Sequence, residues 1–483
     1  MKHPIAVAGL VVVMGLAISA RQAPDPGSTI LKSLDAKASR YAAIAKQIWD
    51  VPELGFQETK SSALLQQTLA DAGFRVEAAV AGMPTAFTAS YGSGQPVVAI
   101  VGEFDALPAL SQAAGEAAHR PLQAGAPGHA CGHNLLGTAS AAAAIAVKEW
   151  MVQVKQAGTL RYYGTPAEEG GGGKIYMLRE GLFRDVDAVL GWHPGDRNAA
   201  HPSSSLATIT ATFRFYGSAS HAAASPDRGR SALDGLEALD YMVNLMREHV
   251  PEETRIHYVI RKGGVASNIV PDYAEADYPA RHPDMRVLQG IWDRILKAAA
   301  GAAMGTGTRF EHEIVTSYWN VLPNETLAAV QHRNLTKVGG VDYTPEEIAF
   351  ADKIRATLVD SRTPMGVQKQ IEPLKAGLVG SASTDMGDIS WNVPTAQVTT
   401  AAYVPGVPGH SWQATACTGT TVGFKGMMVA AKTLALSASD LFRDPATIAR
   451  AKQEFLEKRG GEGFKYNSLV GDRKPPLDYR KDR

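Results

Sequence analysis

A chain of 483 residues exceeds what one ordinary hydrophobic core organises, so two domains are expected. Apolar residues at 45% and charged residues at 20% exclude a disordered or fibrous class. With 48 basic and 48 acidic residues the net charge is zero, which removes the basic footprint of a nucleic-acid binder or of a protein drawn to an anionic membrane.

In chain order, Lys2 and His3 precede an apolar run from Ile5 to Ala17 that ends in Ser19-Ala20. This is the pattern of a secretory signal peptide, residues 1–20, with cleavage after Ala20. The run is shorter than the ~20 residues of a membrane span. No later stretch is expected to span, so the mature chain is expected to be exported, periplasmic or secreted, with no membrane contact. Residues 29–50 carry a helical stripe (Ile30, Leu34, Ala38, Tyr41, Ile44, Ala45, Ile48), and a second helix is predicted over 58–72. Strands are predicted over 74–80, 86–91 and 97–101, the last a compact β-branched run of the buried parallel kind. A helix over 135–150 and short strands over 160–164 and 187–191 follow.

Around Pro202 the texture changes. Strand, long helix, two strands, helix and strand between residues 206 and 316 give a β-α-β-β-α-β order, the split βαβ layer of an α+β unit. Residues 202–320 are therefore predicted as a domain inserted into a discontinuous main domain, 21–201 and 321–440. A polar, basic tail occupies 441–483, with one helix over 446–459 and an extended Pro-Pro end.

Chemistry concentrates at strand ends, where open α/β sheets bind their ligands. Residues 97–101 deliver Glu103-Phe104-Asp105. Residues 128–134, GHACGHN, put Cys131 two residues before His133, and residues two apart in an extended segment point to one side. Thiolate and neutral imidazole are preferred ligands of zinc-like ions. By that spacing alone, a buried Cys beside a solvated His is the safer reading. The strand over 160–164 opens onto Glu168-Glu169 and four glycines, and 187–191 onto His193. His410 sits in Pro-Gly-His-Ser-Trp. Together these supply one thiolate, one carboxylate and three imidazoles, enough for two metal ions sharing a bridge. A competing reading joins Cys131 and Cys417, the only cysteines, in a disulfide.

DALP, GHACGHN, PAEEGGGG, the GWHPG turn, GSASHAA and SNIVPD resemble the dizinc aminoacylase/carboxypeptidase family of metallopeptidases, in its Cys-Gly-His amidohydrolase branch. Within that branch the wording is most similar to the aminobenzoyl-glutamate hydrolases, over nearly the whole chain. The resemblance implies an α/β fold: a mixed-sheet, aminopeptidase-like catalytic domain with an inserted lid and dimerisation domain. It implies Cys131, His133, Glu169, His193 and His410 as ligands of two divalent ions, zinc ahead of manganese, with Cys131 bridging. Glu168 would be the general base and then the acid for the leaving amine, and Asp105 would orient ligands from behind. His221 would reach a neighbouring subunit's site to steady the oxyanion, while Asn268 and Arg281 would hold the substrate carboxylate. Ser383-Thr384-Asp385 stands where hippurate-type relatives carry Glu-Asp-Phe, which implies one acidic group fewer beside the site.

The function expected is a metal-dependent amidohydrolase acting on N-acyl or N-aroyl amino acids, aminobenzoyl-glutamate-like, or on dipeptide-like amides with a free carboxylate, working as a homodimer. The alternative is an exported, non-catalytic binding or scaffold protein that keeps the fold; loss of a ligand residue would favour it, and none is lost.

Overall fold

The structure is a computed structural model that describes Met1 and residues 26–480. The expected signal segment, Met1 aside, lies outside the described residues.

The expected helix over 29–50 is two helices, α1 (Pro26–Ala36) and α2 (Ala38–Asp50), parted where Lys37 leaves helical geometry at φ −110° and ψ 6°. The break re-aims the stripe, so that Ile30 and Leu34 of α1 and Tyr41, Ile44 and Ile48 of α2 all enter one core. After α3 (Thr59–Asp71) come β1 (Arg75–Ala78), β2 (Phe87–Ser93) and β3 (Val97–Glu103), the last buried at every residue. A long loop carries residues 128–132 into α4 (His133–Val154). Then follow β4 (Gly158–Thr165), α5 (Gly173–Arg179) and β5 (Ala188–Gly195).

Between β5 and the next helix of this layer lies a separate five-stranded sheet. It comprises β6 (Ala207–Tyr216), α6 (Ala232–Met246), β7 (Arg255–Ile256), β8 (Val259–Lys262), β9 (Tyr273–His282), α7 (Met285–Thr306) and β10 (Arg309–Tyr318). Its order is β10-β6-β9-β7, with β8 also on β9, and all pairings are antiparallel. Residues of β9 alternate between buried and half-exposed, as a sheet covered on one face requires. The covering face is built by Leu236, Leu239 and Val243 of α6 and Leu288, Ile291 and Ile295 of α7.

The first layer resumes with α8 (Glu325–Val338), α9 (Pro345–Arg355), α10 (Met386–Ser390), β11 (Thr395–Ala401), α11 (Trp412–Thr418), α12 (Thr421–Arg443) and α13 (Pro445–Arg459). Its sheet order is β1-β2-β4-β3-β5-β11, antiparallel at β1-β2-β4 and parallel from β4 through β11. Four parallel strands therefore end on one edge, and the carboxyl ends of β3, β4 and β5 lie side by side. Against expectation, α4 has the length and apolarity of a membrane span, but it is buried in the core between the sheet and the helices α1, α2 and α12. A methyl group on Gly137 would sit 2.7 Å from the Glu103 carbonyl, so this glycine lets the start of α4 press against the end of β3.

Candidate metal centre

The loop before α4 ends in Gly132 at φ +76°, a left-handed position that suits glycine and turns the chain sharply into the helix. That turn aims Cys131 and His133 inward together. Cys131 Sγ lies 3.3 Å from His193 Nε2, contributed by β5. His133 Nδ1 meets Asp105 Oδ1 at 2.8 Å, which fixes the imidazole from behind. The other Asp105 oxygen accepts the backbone N–H of Glu169 at 2.9 Å. His410 arrives from the loop before α11 at φ +58°, its own N–H donating to the Ala130 carbonyl, and its Nε2 stands 3.1 Å from Glu169 Oε1.

These side chains form two clusters, Cys131-His133-His193 and Cys131-Glu169-His410, each with ligand atoms within 4.8 Å of one another. Cys131 belongs to both. A third set, Glu103-His133-Glu168, abuts them. His133 Nε2 approaches Glu103 Oε2 at 3.2 Å, and Glu169 Oε1 approaches His410 Nε2, yet His133 Nε2, Glu103 Oε2 and Glu169 Oε1 are buried without properly aligned hydrogen bonds. Buried polar atoms that crowd a common space without satisfying one another suit a cation between them. The donor set of one sulfur, one carboxylate and three imidazoles fits divalent zinc-like ions.

The electrostatics carry the same message. Burial, then the nearby Glu169, pushes the Cys131 thiol well up. Burial, then Glu103 and Glu169, pushes Glu168 well above the carboxylate range. Burial disfavours charge on His133, but Cys131 and Asp105 outweigh it and raise that imidazole. Burial disfavours charge on Glu169, yet the neighbouring His410 and His133 hold it down, and burial, then His133, lowers His193. Without a cation Cys131, His133 and Glu168 are pushed toward their protonated forms. A divalent ion reverses that preference, because ligand binding by thiol and imidazole releases protons.

The two cysteines are free and buried, so the disulfide reading is overturned. Cys131 faces His193, and Cys417 lies in the last turn of α11.

Several buried groups of this region carry no signal in the sequence. Lys174, fully buried in the first turn of α5, bridges Glu103 Oε1 at 2.7 Å and Asp385 Oδ1 at 2.6 Å. Burial is overcome by Asp385 and Glu103, and the ammonium stays charged. Asp385 therefore keeps an acidic group at the site within the Ser383-Thr384-Asp385 loop. Glu58 accepts the N–H of Ala167 at 2.8 Å and the Thr85 hydroxyl at 2.9 Å, and burial, then Asp105, raises it to about 8. Tyr318 donates to the Glu168 carbonyl at 3.2 Å and Tyr403 to the Cys131 carbonyl at 2.6 Å. The glycine run after Glu169 hints at a constrained loop, but nothing local marks Lys174 or Glu58 as buried.

His221, Asn268 and Arg281 are not joined to these clusters by any described contact. His221 is exposed, with Nδ1 accepting the N–H groups of Ala223 and Ala224, and Asn268 is its neighbour through the Ala222 N–H to Asn268 carbonyl bond. Arg281 lines a cavity of about 720 Å³ with Arg255, His257 and Gly380. Gly380 also lines the cavity of about 300 Å³ that contains His193, so the two spaces adjoin.

A mixed α/β layer with this centre at its strand ends, plus a split βαβ layer, defines a metallopeptidase class. Residues 99–418 match the model of Peptidase family M20/M25/M40, and the chain belongs to that family. It is 42% identical over 447 residues to one subunit of the p-aminobenzoyl-glutamate hydrolase of Escherichia coli, covering 87% of this chain and 93% of that protein. It is 30% identical over 441 residues to the Xaa-Arg dipeptidase of Mus musculus, covering 87% and 90%. In fold it is similar to a dinuclear metal-binding peptidase of the M20 family from Bacillus subtilis, with a TM-score of 0.57 at 17% identity, covering 85% and 99%.

Proposed function

We propose that the chain is a two-metal amidohydrolase that cleaves the amide bond of N-acyl or N-aroyl amino acids, or of dipeptide-like substrates, bearing a free carboxylate. The observation that carries this is one thiol, Cys131, shared by two ligand clusters beside a buried carboxyl, Glu168, that readily holds a proton. In this reading Cys131, His133, Glu169, His193 and His410 hold two zinc ions. Bound there, the ions supply Lewis acidity toward an amide carbonyl and toward a water molecule.

The protein's own groups do the rest. Glu168 takes the proton of the attacking water and delivers it to the leaving nitrogen, the two roles of a general base that then serves as general acid. Its carbonyl is fixed by Tyr318, so the side chain swings from an anchored backbone. Asp105 fixes both the His133 ring and the Glu169 backbone, holding two ligands in mutual register. Arg281 and Asn268 recognise the substrate carboxylate. His221 of a second copy stabilises the charge that develops on the amide oxygen, which makes the homodimer the working unit. Relatives named for a p-aminobenzoyl-glutamate hydrolase and for a dipeptidase support an amino acid on the leaving side. The apolar run from Ile5 to Ala17 supports export.

The test is a screen of zinc-supplemented protein against N-acyl and N-aroyl amino acids, including p-aminobenzoyl-glutamate, with their α-methyl esters as controls. Amide cleavage restricted to the free acids is expected. Equal cleavage of the esters removes the carboxylate requirement, and no cleavage of any member removes the function.

A further inference from the structure

Residues 461–480, beyond α13 and outside the family match, cross the molecule in an ordered path. Phe464 and Tyr466 pack on Trp319, and the Tyr466 hydroxyl donates to Asp388 at 2.6 Å. The Trp319 indole N–H donates to the Asn467 carbonyl, and Val470 is buried against Ile175 and Tyr318. Arg179 of α5 binds the carbonyls of Gly471 and Arg473, while Arg473 binds those of Ile314 and Val315 in β10. Gln57 then donates to the Leu477 carbonyl at 2.7 Å. The path ends with Tyr479 edge-on to Phe56, its hydroxyl donating to the Glu169 carbonyl at 3.1 Å, and with Arg480 donating to the same oxygen.

That oxygen belongs to the peptide joining Glu169 to Gly170. Gly170 stands at φ +98°, and its lack of a side chain leaves the peptide little steric resistance to rotation. Asp105 holds the N–H of Glu169 at 2.9 Å, and the Glu168 carbonyl accepts the N–H of Gly170 at 2.7 Å, so the donor side of this stretch is tied near the loop itself. The carbonyl side of the Glu169–Gly170 peptide is tied by the tail, through Tyr479 and Arg480. Gly55 accommodates them: a methyl group there would collide with the Tyr479 hydroxyl and sit 2.8 Å from Ala167 Cβ.

We propose that this C-terminal strap completes the metal centre, with Tyr479 and Arg480 as positioning residues that lock the Glu169–Gly170 peptide and thereby aim the Glu169 carboxylate at Cys131 and His410. The proposal rests on the metal-ligand reading of Glu169 given above. Groups that orient a ligand from behind change metal affinity by ~10–100-fold when removed.

The experiment uses full-length Tyr479→Phe, Arg480→Met and the double variant. Phe keeps the ring against Phe56 and removes only the hydroxyl. Zinc affinity is measured by chelator competition, alongside kcat, KM and the thermal midpoint of metal-free protein. The double variant is expected to bind its weaker zinc ~10–100-fold less tightly, with kcat reduced, KM unchanged and the metal-free midpoint unchanged, and each single variant is expected to fall between it and wild type. Wild-type zinc affinity in the double variant overturns the proposal, as does a loss of affinity matched by a collapse of the metal-free midpoint. Zinc competition needs no substrate. A wild-type protein that binds zinc yet hydrolyses no N-acyl amino acid therefore defeats the function proposed above while the strap is still judged by its own readout.

Discussion

The strand-end centre and the exposed face of the β6–β10 layer hold the residues expected to act together, and the two regions are built in opposite ways. At the strand ends every candidate is buried or tied: Asp105 grips both His133 and Glu169, and Lys174 bridges Glu103 and Asp385. In the other layer His221 and Asn268 are exposed, and their described bonds run only within and between the two loops that carry them. Cross-tied buried groups have their geometry fixed by one chain. Exposed, loosely held ones acquire a defined geometry only when something else covers them. The difference divides the proposed site into a half that is preorganised and a half that awaits substrate and a second copy.

Substitutions that strike the preorganised half should have the largest effects. Cys131→Ala removes the group common to both clusters, and it is expected to abolish hydrolysis and to cut bound zinc measured by plasma emission to at most one equivalent. Full activity with two zinc ions retained would show that the clusters do not share this thiol. Lys174→Met leaves Glu103 and Asp385 buried without their cation, a change expected to cost ~3–5 kcal/mol in denaturant unfolding of the metal-free protein. A loss under about 1 kcal/mol, the scale of an exposed ion pair, would show that the pair is already solvated.

The adaptable half should respond differently. His221→Ala is expected to lower kcat by ~10²–10³-fold, the effect of losing one oxyanion donor, with metal content untouched. Mixing it with Glu168→Gln protein after subunit exchange should restore activity that neither variant has alone, because each mixed dimer then holds one complete site. No restoration would place His221 in the service of its own chain. The smallest effect concerns the layer's own core. Asp240 bonds Tyr278, and burial raises its carboxyl from 3.8 to about 6. An acid with a raised folded pKa makes its full contribution below pH 3.8 and loses it as pH climbs through about 6. Asp240→Asn should therefore match wild type in thermal midpoint below pH 4 and exceed it modestly at pH 7. A gap that does not widen between those values would refute the assignment.

The sequence made one half of the site readable and hid much of its support. Cys131-Gly132-His133 and Glu168-Glu169 stood out because strands led into them and glycines surrounded them, features that cost stability without a purpose. Glu103 was visible as a strand-end carboxylate but not as a partner of Lys174, because burial of a lysine is decided by residues more than 200 positions away at Asp385. Glu58 was hidden for the same reason: only the fold carries it to Ala167. The element order revealed both sheets, including the split βαβ layer. It missed the break at Lys37, where two apolar stripes read as one, and the division of residues 256–260 between β7 and β8. In the tail the helix over 446–459 was legible and stands as α13, but the path beyond it was readable only as polar, basic and extended, since a strap held by backbone carbonyls leaves no periodic apolar pattern.

The central claim, two ions held by a shared thiol with Glu168 moving the proton, is tested most directly by Glu168→Gln assayed for metal and turnover together. The account predicts two zinc ions per chain, as in wild type, with hydrolysis of the best N-acyl amino acid reduced by at least ~10²-fold. Substantial turnover in that variant, or fewer than two ions in the wild-type protein, would contradict it.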